Sequence, residues 1–120
     1  MRFCLSPYND AAVNLALEEC LLKNSKEDYI ILYRNKPSLI VGKHQNSMAE
    51  INYLNVCERN ISVYRRISGG GTVYHDLGNL NFSFIHNVEG QNKVDFKKYT
   101  APVLDFLKSL NLNVSLGKRN

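Results

Sequence analysis

A run of three glycines at residues 69–71 stands beside basic residues that could bind an anion. Arg65 and Arg66 precede the run, and His75 follows it. Glycine has no Cβ, so its backbone can adopt positive φ and come close to a ligand. Successive amide N–H groups can then converge on an anion, and an arginine adds a charge-assisted hydrogen bond. Residues 65–79 are therefore predicted to form a backbone-lined loop that holds an anionic small molecule.

The loop differs from the named phosphate-binding motifs. No G-x-x-x-x-G-K-[ST] is present, and the dinucleotide-binding G-x-G-x-x-G would need a glycine at Tyr74 and a helix after it. Because residues 72–74 read as a strand, anion binding is expected from a strand–turn–strand nest. The alternative is a flexible surface hairpin. Each glycine in a regular element costs roughly 0.5–1 kcal/mol relative to alanine, and one Asn-Gly would make that turn, so we favour the ligand loop.

Other constellations in the sequence are weaker. Arg65 and Arg66 point in opposite directions if they lie on a strand, so one of them faces the ligand and the sequence leaves open which. The same alternation separates His75 from Asp76, which argues against a catalytic dyad. The three histidines lack the spacing of metal ligands. Cys57 lies in a predicted helix with no obvious base, which argues against a thiol nucleophile.

Hydrophobic patterning predicts the elements that position the loop. One helix is expected over residues 10–23, capped by Asn9 or Asp10. The capping-box pattern S-x-x-E at residues 47–50 predicts a short helix that ends near Asn60. A third helical pattern covers residues 95–110 and either begins near Pro102, with Thr100 as its cap, or is kinked there. Strand patterns cover residues 29–34, 38–42, 61–67, 72–74, 81–85 and 112–116, and the first two look like a hairpin.

Length and composition favour one ordinary globular domain over residues 1–120. The helix and strand patterns indicate an α/β (α+β) class. The net charge of +4 is mild and scattered, which argues against a nucleic-acid partner. The three cysteines are widely spaced, so no disulfide framework is expected and the protein is predicted to occupy a reducing compartment. Cys20 and Cys57 are predicted to be small residues of the core. No signal peptide and no membrane span are predicted. A cytoplasmic protein is expected.

Several segments together resemble the lipoate–protein ligases, from about Ser6 to the last residue. They are Asn-Leu-Ala-Leu-Glu-Glu at 14–19, Leu-Tyr-Arg-Asn at 32–35, Ile-Val-Gly-Lys-His-Gln-Asn at 40–46 and Arg-Arg-Ile-Ser-Gly-Gly-Gly-Thr-Val-Tyr-His-Asp-Leu-Gly-Asn at 65–79. The last block is specific, because lipoyl and octanoyl transferases usually carry His-Gly-Pro-Gly-Gln in its second half. Biotin ligases usually interrupt the glycine run with arginine.

The resemblance implies a biotin/lipoate ligase-like catalytic domain with a mixed, largely antiparallel β-sheet packed by helices. It implies that lipoate and ATP, with Mg²⁺, give lipoyl-adenylate, whose acyl group passes to a lysine of a lipoyl carrier domain. Such domains belong to 2-oxoacid dehydrogenase complexes or to the glycine cleavage H protein. By similarity the ATP and lipoyl-adenylate residues are Arg66, Gly70, Gly71, Thr72, Val73, Tyr74 and Asn79. Leu17, Ser68 and His75 would border the lipoyl chain, and octanoate is an alternative acid of similar reach.

One element of the family pattern is not in these residues. The resemblance implies an essential lysine that follows an Asn-Asp pair, and the Asp would come after Asn120. We therefore expect no catalytic residue within the chain, which looks like the truncated N-terminal part of a catalytic domain and a poor or inactive ligase alone. Two alternatives remain at this stage: a non-catalytic binding or assembly module that needs a second chain, and, ranked lowest, a nucleic-acid-binding protein.

Overall fold

The computed structural model describes residues 1–86 and 95–117. The chain divides into two compact units, Met1–Asn87 and Val88–Asn120, which are treated separately. The described residues form six strands and four helices. In chain order they are β1 (Arg2–Leu5), α1 (Ala11–Asn24), β2 (Tyr29–Tyr33), β3 (Ser38–Val41), α2 (Ser47–Glu50), α3 (Tyr53–Glu58), β4 (Ser62–Arg65), β5 (Val73–His75), β6 (Asn81–Ile85) and α4 (Phe96–Ser109).

The strands of the first unit form two three-stranded sheets, in the orders β1-β2-β6 and β4-β3-β5. Each sheet combines a parallel pair, β1 with β2 or β3 with β4, and an antiparallel pair, β2 with β6 or β3 with β5. The mixed α+β class predicted from sequence is confirmed. The predicted hairpin of β2 and β3 is wrong, because β1 and β6 occupy both hydrogen-bonding edges of β2 and β3 has its partners in the other sheet.

Helix α1 packs its apolar side on the sheet that contains β2. The core there consists of Ile31, Tyr33 and Ile85, with Leu17 and Leu21 of the helix packed against it. The helix is capped by Asp10, whose Oδ1 accepts hydrogen bonds from the amides of residues 12 and 13 at 2.8 and 3.2 Å. Asp10 rather than Asn9 is therefore the cap. This anchoring fixes which side chains α1 turns toward the rest of the unit.

The segment after β3 contains two short helices where the capping box predicted one. Asn46 caps α2 through its Oδ1, which accepts from the amide of Met48 at 3.1 Å. Ile51 is extended, and Asn52 then caps α3 by accepting from the amide of Asn55. The single helix was a wrong prediction because this second capping residue restarts the helical hydrogen bonding. Asn60 has the positive φ of 50° expected just beyond a helix end.

In the second unit α4 begins after Asp95, whose Oδ1 accepts from the amide of Lys98. The helix continues through Pro102, and the hydroxyl of Thr100 donates to the carbonyl of Phe96 instead of capping a new start. The predicted strand at 112–116 is wrong: residues 112–117 have no strand structure. A strand needs a hydrogen-bonded neighbour, and the described part of this unit supplies none.

Two of the cysteines lie elsewhere than the sequence predicted. Cys20 and Cys57 are exposed, so their placement in the core was wrong; both lie on the outer sides of their helices. Together with Cys4 they are free thiols. Across residues 1–86 and 95–117, no helix has the length and apolar character needed to cross a membrane.

Candidate functional site

A cavity of about 310 Å³ in the first unit is lined by residues of α1 and of both sheets. Leu15 and Glu18 of α1 form one side, Ile40 comes from β3, and Phe82 and Ser83 come from β6. The volume lies at the lower end of the roughly 300–1,000 Å³ range of small-molecule sites. Apolar and charged groups share the wall of this cavity.

Arg66 also lines this cavity and organises the glycine loop. Its Nη2 donates to the carbonyls of Gly69 and Gly71 at 2.8 and 2.7 Å, and its Nε donates to Gly69 at 3.2 Å. Its Nη1 donates to the carbonyl of Ile40 at 3.1 Å. A guanidinium has five N–H donors, so these four hydrogen bonds leave one Nη1–H for a ligand. The loop is therefore folded around the cation that faces the cavity.

The backbone of the glycine loop needs its glycines at specific places. Gly70 has φ of +99°, a conformation that side chains rarely adopt, and its carbonyl lies so close to Gly42 that a Cβ there would be 2.1 Å away. No protein acceptor among the described residues takes the amides of Gly70 or Gly71. These amides are the donors that the sequence assigned to an anion, and the loop leaves them unused by the protein.

Arg65 does not line the cavity and binds backbone carbonyls instead. Its Nη1 donates to the carbonyls of Gly42 and Gln45 at 2.8 and 2.7 Å, on the exposed side of the loop. It therefore fixes the turn after β3, while Arg66 lines the cavity. The two side chains diverge as strand alternation predicts.

Residues 76–79 form a turn that closes the loop after β5. The carboxylate of Asp76 accepts from the amide of Gly78 at 2.8 Å, and the described residues show no hydrogen bond between Asp76 and His75. Asn79 donates through Nδ2 to the carbonyl of Tyr74 at 2.9 Å. The structure thus gives Asn79 a bracing position at the edge of the loop, and Asn79 does not line the cavity.

His75 is buried in the cavity wall, and Asn35 holds its ring by a hydrogen bond. Its Nδ1 lies 3.0 Å from Nδ2 of Asn35, which is fully buried. Burial lowers the pKa of His75 below its ordinary value of 6.5, and the positive charge of Arg66 lowers the pKa further. The imidazole is therefore neutral at pH 7.

Glu18 supplies the negative charge in the same cavity. Its carboxylate accepts a hydrogen bond from the hydroxyl of Ser83. Burial raises the pKa of the neighbouring Tyr33, and the charge of Glu18 and a hydrogen bond to its carboxylate raise the pKa further. Tyr33 thus stays a neutral phenol, and Asn81 adds a buried Nδ2 with no hydrogen-bond partner in the described part of the chain. The cavity has a cationic region at Arg66 and an anionic region at Glu18.

The lowered pKa of His75 makes a prediction about stability. The unfolded chain has the ordinary pKa of 6.5, so below that pH it binds a proton more readily than the folded chain. At pH values well above 6.5, protonation of His75 should therefore not affect the free energy of unfolding. As the pH decreases through 6.5, the free energy of unfolding should fall. Urea titrations between about pH 7.5 and about pH 5 test this. The slope should be smaller in His75→Gln, and an equal slope in both proteins would contradict the prediction.

The structure brings together only some of the residues predicted to bind the ligand. Arg66, Ser68, Val73 and His75 line the cavity, and Gly70, Gly71 and Thr72 belong to the loop beside it. Tyr74 alternates with Val73 and His75 on β5 and is exposed on the other side. Leu17 does not line the cavity; it is half-buried and packs against the core, and Leu15 and Glu18 are the residues that α1 contributes to the cavity.

Sequence reasoning did not assign roles to Asn14, Asn35, Glu18 and Tyr33. A signal for the first was available, since Asn14 shares one helical stripe with Ala11 and Glu18 at spacings of three and seven. A polar residue on a buried stripe must be hydrogen bonded. The role of Asn35 was hidden, because nothing local in a turn between strands shows that it is buried.

The described residues do not fit a metal site by themselves. Within residues 1–86 and 95–117, no group of three His, Cys, Asp or Glu side chains could hold an ion.

Comparison with known proteins identifies relatives for nearly the whole chain. A family model described as the lipoyl protein ligase A/B catalytic domain matches residues 10–120. Lipoate–protein ligase 1 of Staphylococcus aureus is 50% identical over 113 residues, which cover 92% of this chain and 34% of that protein. Lipoate-protein ligase LplJ of Bacillus subtilis is 49% identical over 114 residues, with 93% and 34% covered. The chain thus spans about a third of the length of these relatives.

Solved structures agree in fold. A TM-score of 0.86 at 33% identity relates the chain to Plasmodium falciparum LipL1 in complex with lipoate, covering 98% of this chain and 39% of that one. Lipoate-protein ligase A bound with ATP gives a TM-score of 0.82 at 28% identity, with 99% and 50% covered. A bi-partite lipoate protein ligase of Thermoplasma acidophilum, described together with its E2 lipoyl domain, gives 0.79 at 28% identity, with 98% and 48% covered.

Proposed function

Because the chain belongs to the lipoyl protein ligase A/B catalytic-domain family, we propose that it forms the N-terminal part of a lipoate–protein ligase catalytic domain. The observation that supports this most is the cavity in which Arg66 and the glycine loop stand beside an apolar wall. This arrangement suits an acid whose carboxylate becomes an acyl phosphate and whose hydrocarbon chain must leave water.

The proposed reaction has two steps. A carboxylate oxygen of lipoate attacks the α-phosphorus of ATP, and pyrophosphate leaves with the electron pair of the broken P–O bond. A lysine amine of a lipoyl carrier domain then attacks the acyl carbon of lipoyl-adenylate, AMP leaves, and the amine gives up a proton as the amide forms. Carrier domains of 2-oxoacid dehydrogenase complexes or the glycine cleavage H protein are the proposed acceptors. Octanoate is an alternative acyl substrate.

The residues of this chain would bind and orient these groups. The one remaining Nη1–H of Arg66 and the unused amides of Gly70 and Gly71 would donate to oxygens on the acyl-adenylate linkage, where negative charge develops. Thr72 is held by its hydroxyl, which donates to Gln45 at 2.9 Å and so anchors the loop. Val73 and Leu15 would contact the acyl chain. We further propose that Tyr74 and Asn79 border the nucleotide from the outer side of the loop.

The three cysteines are free thiols, as in a protein of a reducing compartment, and we propose that the reaction is cytoplasmic.

The relatives are about three times as long as the aligned region. We therefore propose that these 120 residues supply one wall of the active site and that the lysine implied by the resemblance comes from a further segment or a second chain.

Titration of a non-hydrolysable lipoyl-adenylate analogue into this chain tests the proposed function. We expect saturable binding by calorimetry, little binding of the matched biotinyl-adenylate analogue, and pyrophosphate exchange far below that of an intact ligase. Leu15→Glu should weaken binding by about tenfold, because it places a second carboxylate beside Glu18 against an anionic ligand.

Leu22→Glu is the matched control for this experiment, since it makes the same change on the exposed face of α1 and should leave affinity unchanged. Absence of saturable binding to a chain whose circular dichroism shows it folded would overturn the proposed function. Lipoate-dependent pyrophosphate exchange at a normal rate would overturn the proposal that a further segment is needed.

A further inference from the structure

A buried network of side-chain hydrogen bonds leads from Ser6, just after β1, to the cavity. The hydroxyl of Ser6 donates to Oδ1 of Asn14 at 2.6 Å, and Nδ2 of Asn14 donates to Oδ1 of Asn35 at 2.7 Å. Nδ2 of Asn35 then lies 3.0 Å from Nδ1 of His75. None of the four residues is more than 9% exposed, and both asparagines are at most 1% exposed. Buried polar groups of this kind must be fully paired, so the network has little freedom to rearrange.

Two backbone carbonyls fix the direction of every hydrogen bond in this network. Nδ2 of Asn14 lies 3.0 Å from the carbonyl oxygen of Tyr8 and 3.4 Å from that of Arg34. A carbonyl can only accept, so the nitrogen of the Asn14 amide must face them. The oxygen of Asn35 must then face Asn14, which turns its nitrogen toward His75. Nδ1 of His75 is left with a donor opposite it and must accept.

We propose that Asn35, oriented by Asn14, is a positioning residue that holds His75 as the neutral Nε2–H tautomer and so aims one N–H donor at the acyl substrate in the cavity. The identity of that substrate rests on the proposed function, whereas the tautomer follows from the hydrogen bonds alone. In the chemistry proposed above, the acceptor is an oxygen of the lipoate carboxylate or of the acyl-adenylate linkage.

The position of the ring supports this role. His75 lines the cavity, and its one hydrogen bond among the described residues uses Nδ1, so Nε2 is available to a ligand. An imidazolium would carry a hydrogen on both ring nitrogens. The hydrogen on Nδ1 would then face the amide hydrogens of Asn35, and the two donors would repel. Arg66 and Glu18 are the charged groups in the same wall, and Asp76 is engaged with Gly78. Burial and Arg66 both lower the pKa of His75, which agrees with a neutral ring.

The first measurement is the tautomer itself, read from long-range ¹H–¹⁵N spectra of the ¹⁵N-labelled chain at about pH 7.5 without ligand. We expect His75 to show a protonated Nε2 and a bare Nδ1. A protonated Nδ1 in this spectrum overturns the proposal, and the result does not depend on any variant folding. Because no ligand is present, this measurement also stands apart from the proposed function.

Asn35→Asp tests the positioning role with a change of one donor into an acceptor. Aspartate can still accept from Asn14, but it offers no hydrogen to His75, so Nδ1 should become protonated and the pKa of the ring should rise. Above the raised pKa the neutral ring would present a bare Nε2, and affinity for the lipoyl-adenylate analogue should fall by about tenfold. Below it the imidazolium regains an Nε2–H, and the affinity should recover.

The unchanged chain should show no such dependence between about pH 7.5 and about pH 9, because its ring is neutral there. Asn55→Asp is the matched control: it makes the same isosteric change at an exposed position of α3, and its pH profile should equal that of the unchanged chain. A merely structural role for Asn35 would lower affinity equally at every pH, and that result would overturn the proposal.

Failure of the proposed function is recognised separately. If the analogue binds, judged from other resonances, while the Nε2–H signal of His75 stays in place, the contact between His75 and the substrate is refuted. If the analogue does not bind a folded chain at all, the proposed function fails, and comparison of the ligand-free spectra of the unchanged chain and Asn35→Asp still decides whether Asn35 sets the tautomer.

Discussion

Replacing Arg66 by alanine should weaken binding of the lipoyl-adenylate analogue by about 1.5–3 kcal/mol, or roughly 10- to 150-fold. The guanidinium lines the cavity and holds the carbonyls of Gly69, Gly71 and Ile40. Its removal deletes a cation opposite an anionic ligand and also releases the loop whose amides would bind that ligand. Calorimetric titration of the two proteins measures the effect.

Two companion variants separate the charge of Arg66 from its geometry. Arg66→Lys keeps the charge but cannot reach three carbonyls with one planar group, so we expect it to recover only part of the affinity. Arg65→Ala removes the neighbouring arginine, which braces the turn after β3, and should reduce thermal stability more than affinity. An unchanged affinity in Arg66→Ala, or a larger loss in Arg65→Ala, would show that the ligand-facing arginine has been misassigned.

The second large effect is expected at Gly42. A Cβ at this position would lie 2.1 Å from the carbonyl oxygen of Gly70, a backbone atom that cannot rotate away. Gly42 also donates to Oε1 of Gln45 and accepts from Arg65, so the turn cannot move without breaking hydrogen bonds. Gly42→Ala should lower the free energy of unfolding by about 1–3 kcal/mol, and ligand affinity should fall because the loop is displaced.

Gly69→Ala is the matched control for Gly42, because nothing lies within 4 Å of a Cβ built there and the residue has no positive φ. Urea unfolding of both variants measures the difference in stability. Equal stability losses in the two variants would mean that the contact between the turn and the glycine loop contributes nothing.

Local chemistry in the sequence predicted most single elements correctly. The N-terminal cap of α1, expected at Asn9 or Asp10, the helix end expected near Asn60 and the strand β6 each depend on residues close in sequence. The pairing of strands was not predictable in this way. The patterns of β2 and β3 fit a hairpin equally well, and only distant strands, β1 and β6 on one side and β4 and β5 on the other, decide that they separate.

The candidate site divides along the same line. The glycine loop and its pair of arginines could be identified, because a glycine run and an adjacent arginine pair are recognisable within a few residues. Which arginine faces the cavity required the register of β4, and the contribution of α1 required knowing which stripe lies on the sheet. Leu17 and Leu15 are two positions apart on α1. Leu17 packs against the core, whereas Leu15 lines the cavity.

The separation of β2 from β3 also sets an order in time. The sheet β4-β3-β5 can be complete once the chain through His75 has been synthesised, whereas the sheet β1-β2-β6 must wait for Ile85. Asn35, which lies between the two strands, is in the chain long before its partner His75. Because Asn81, Phe82 and Ser83 of β6 line the cavity, a nascent chain that ends before β6 would have the glycine loop but no enclosed cavity.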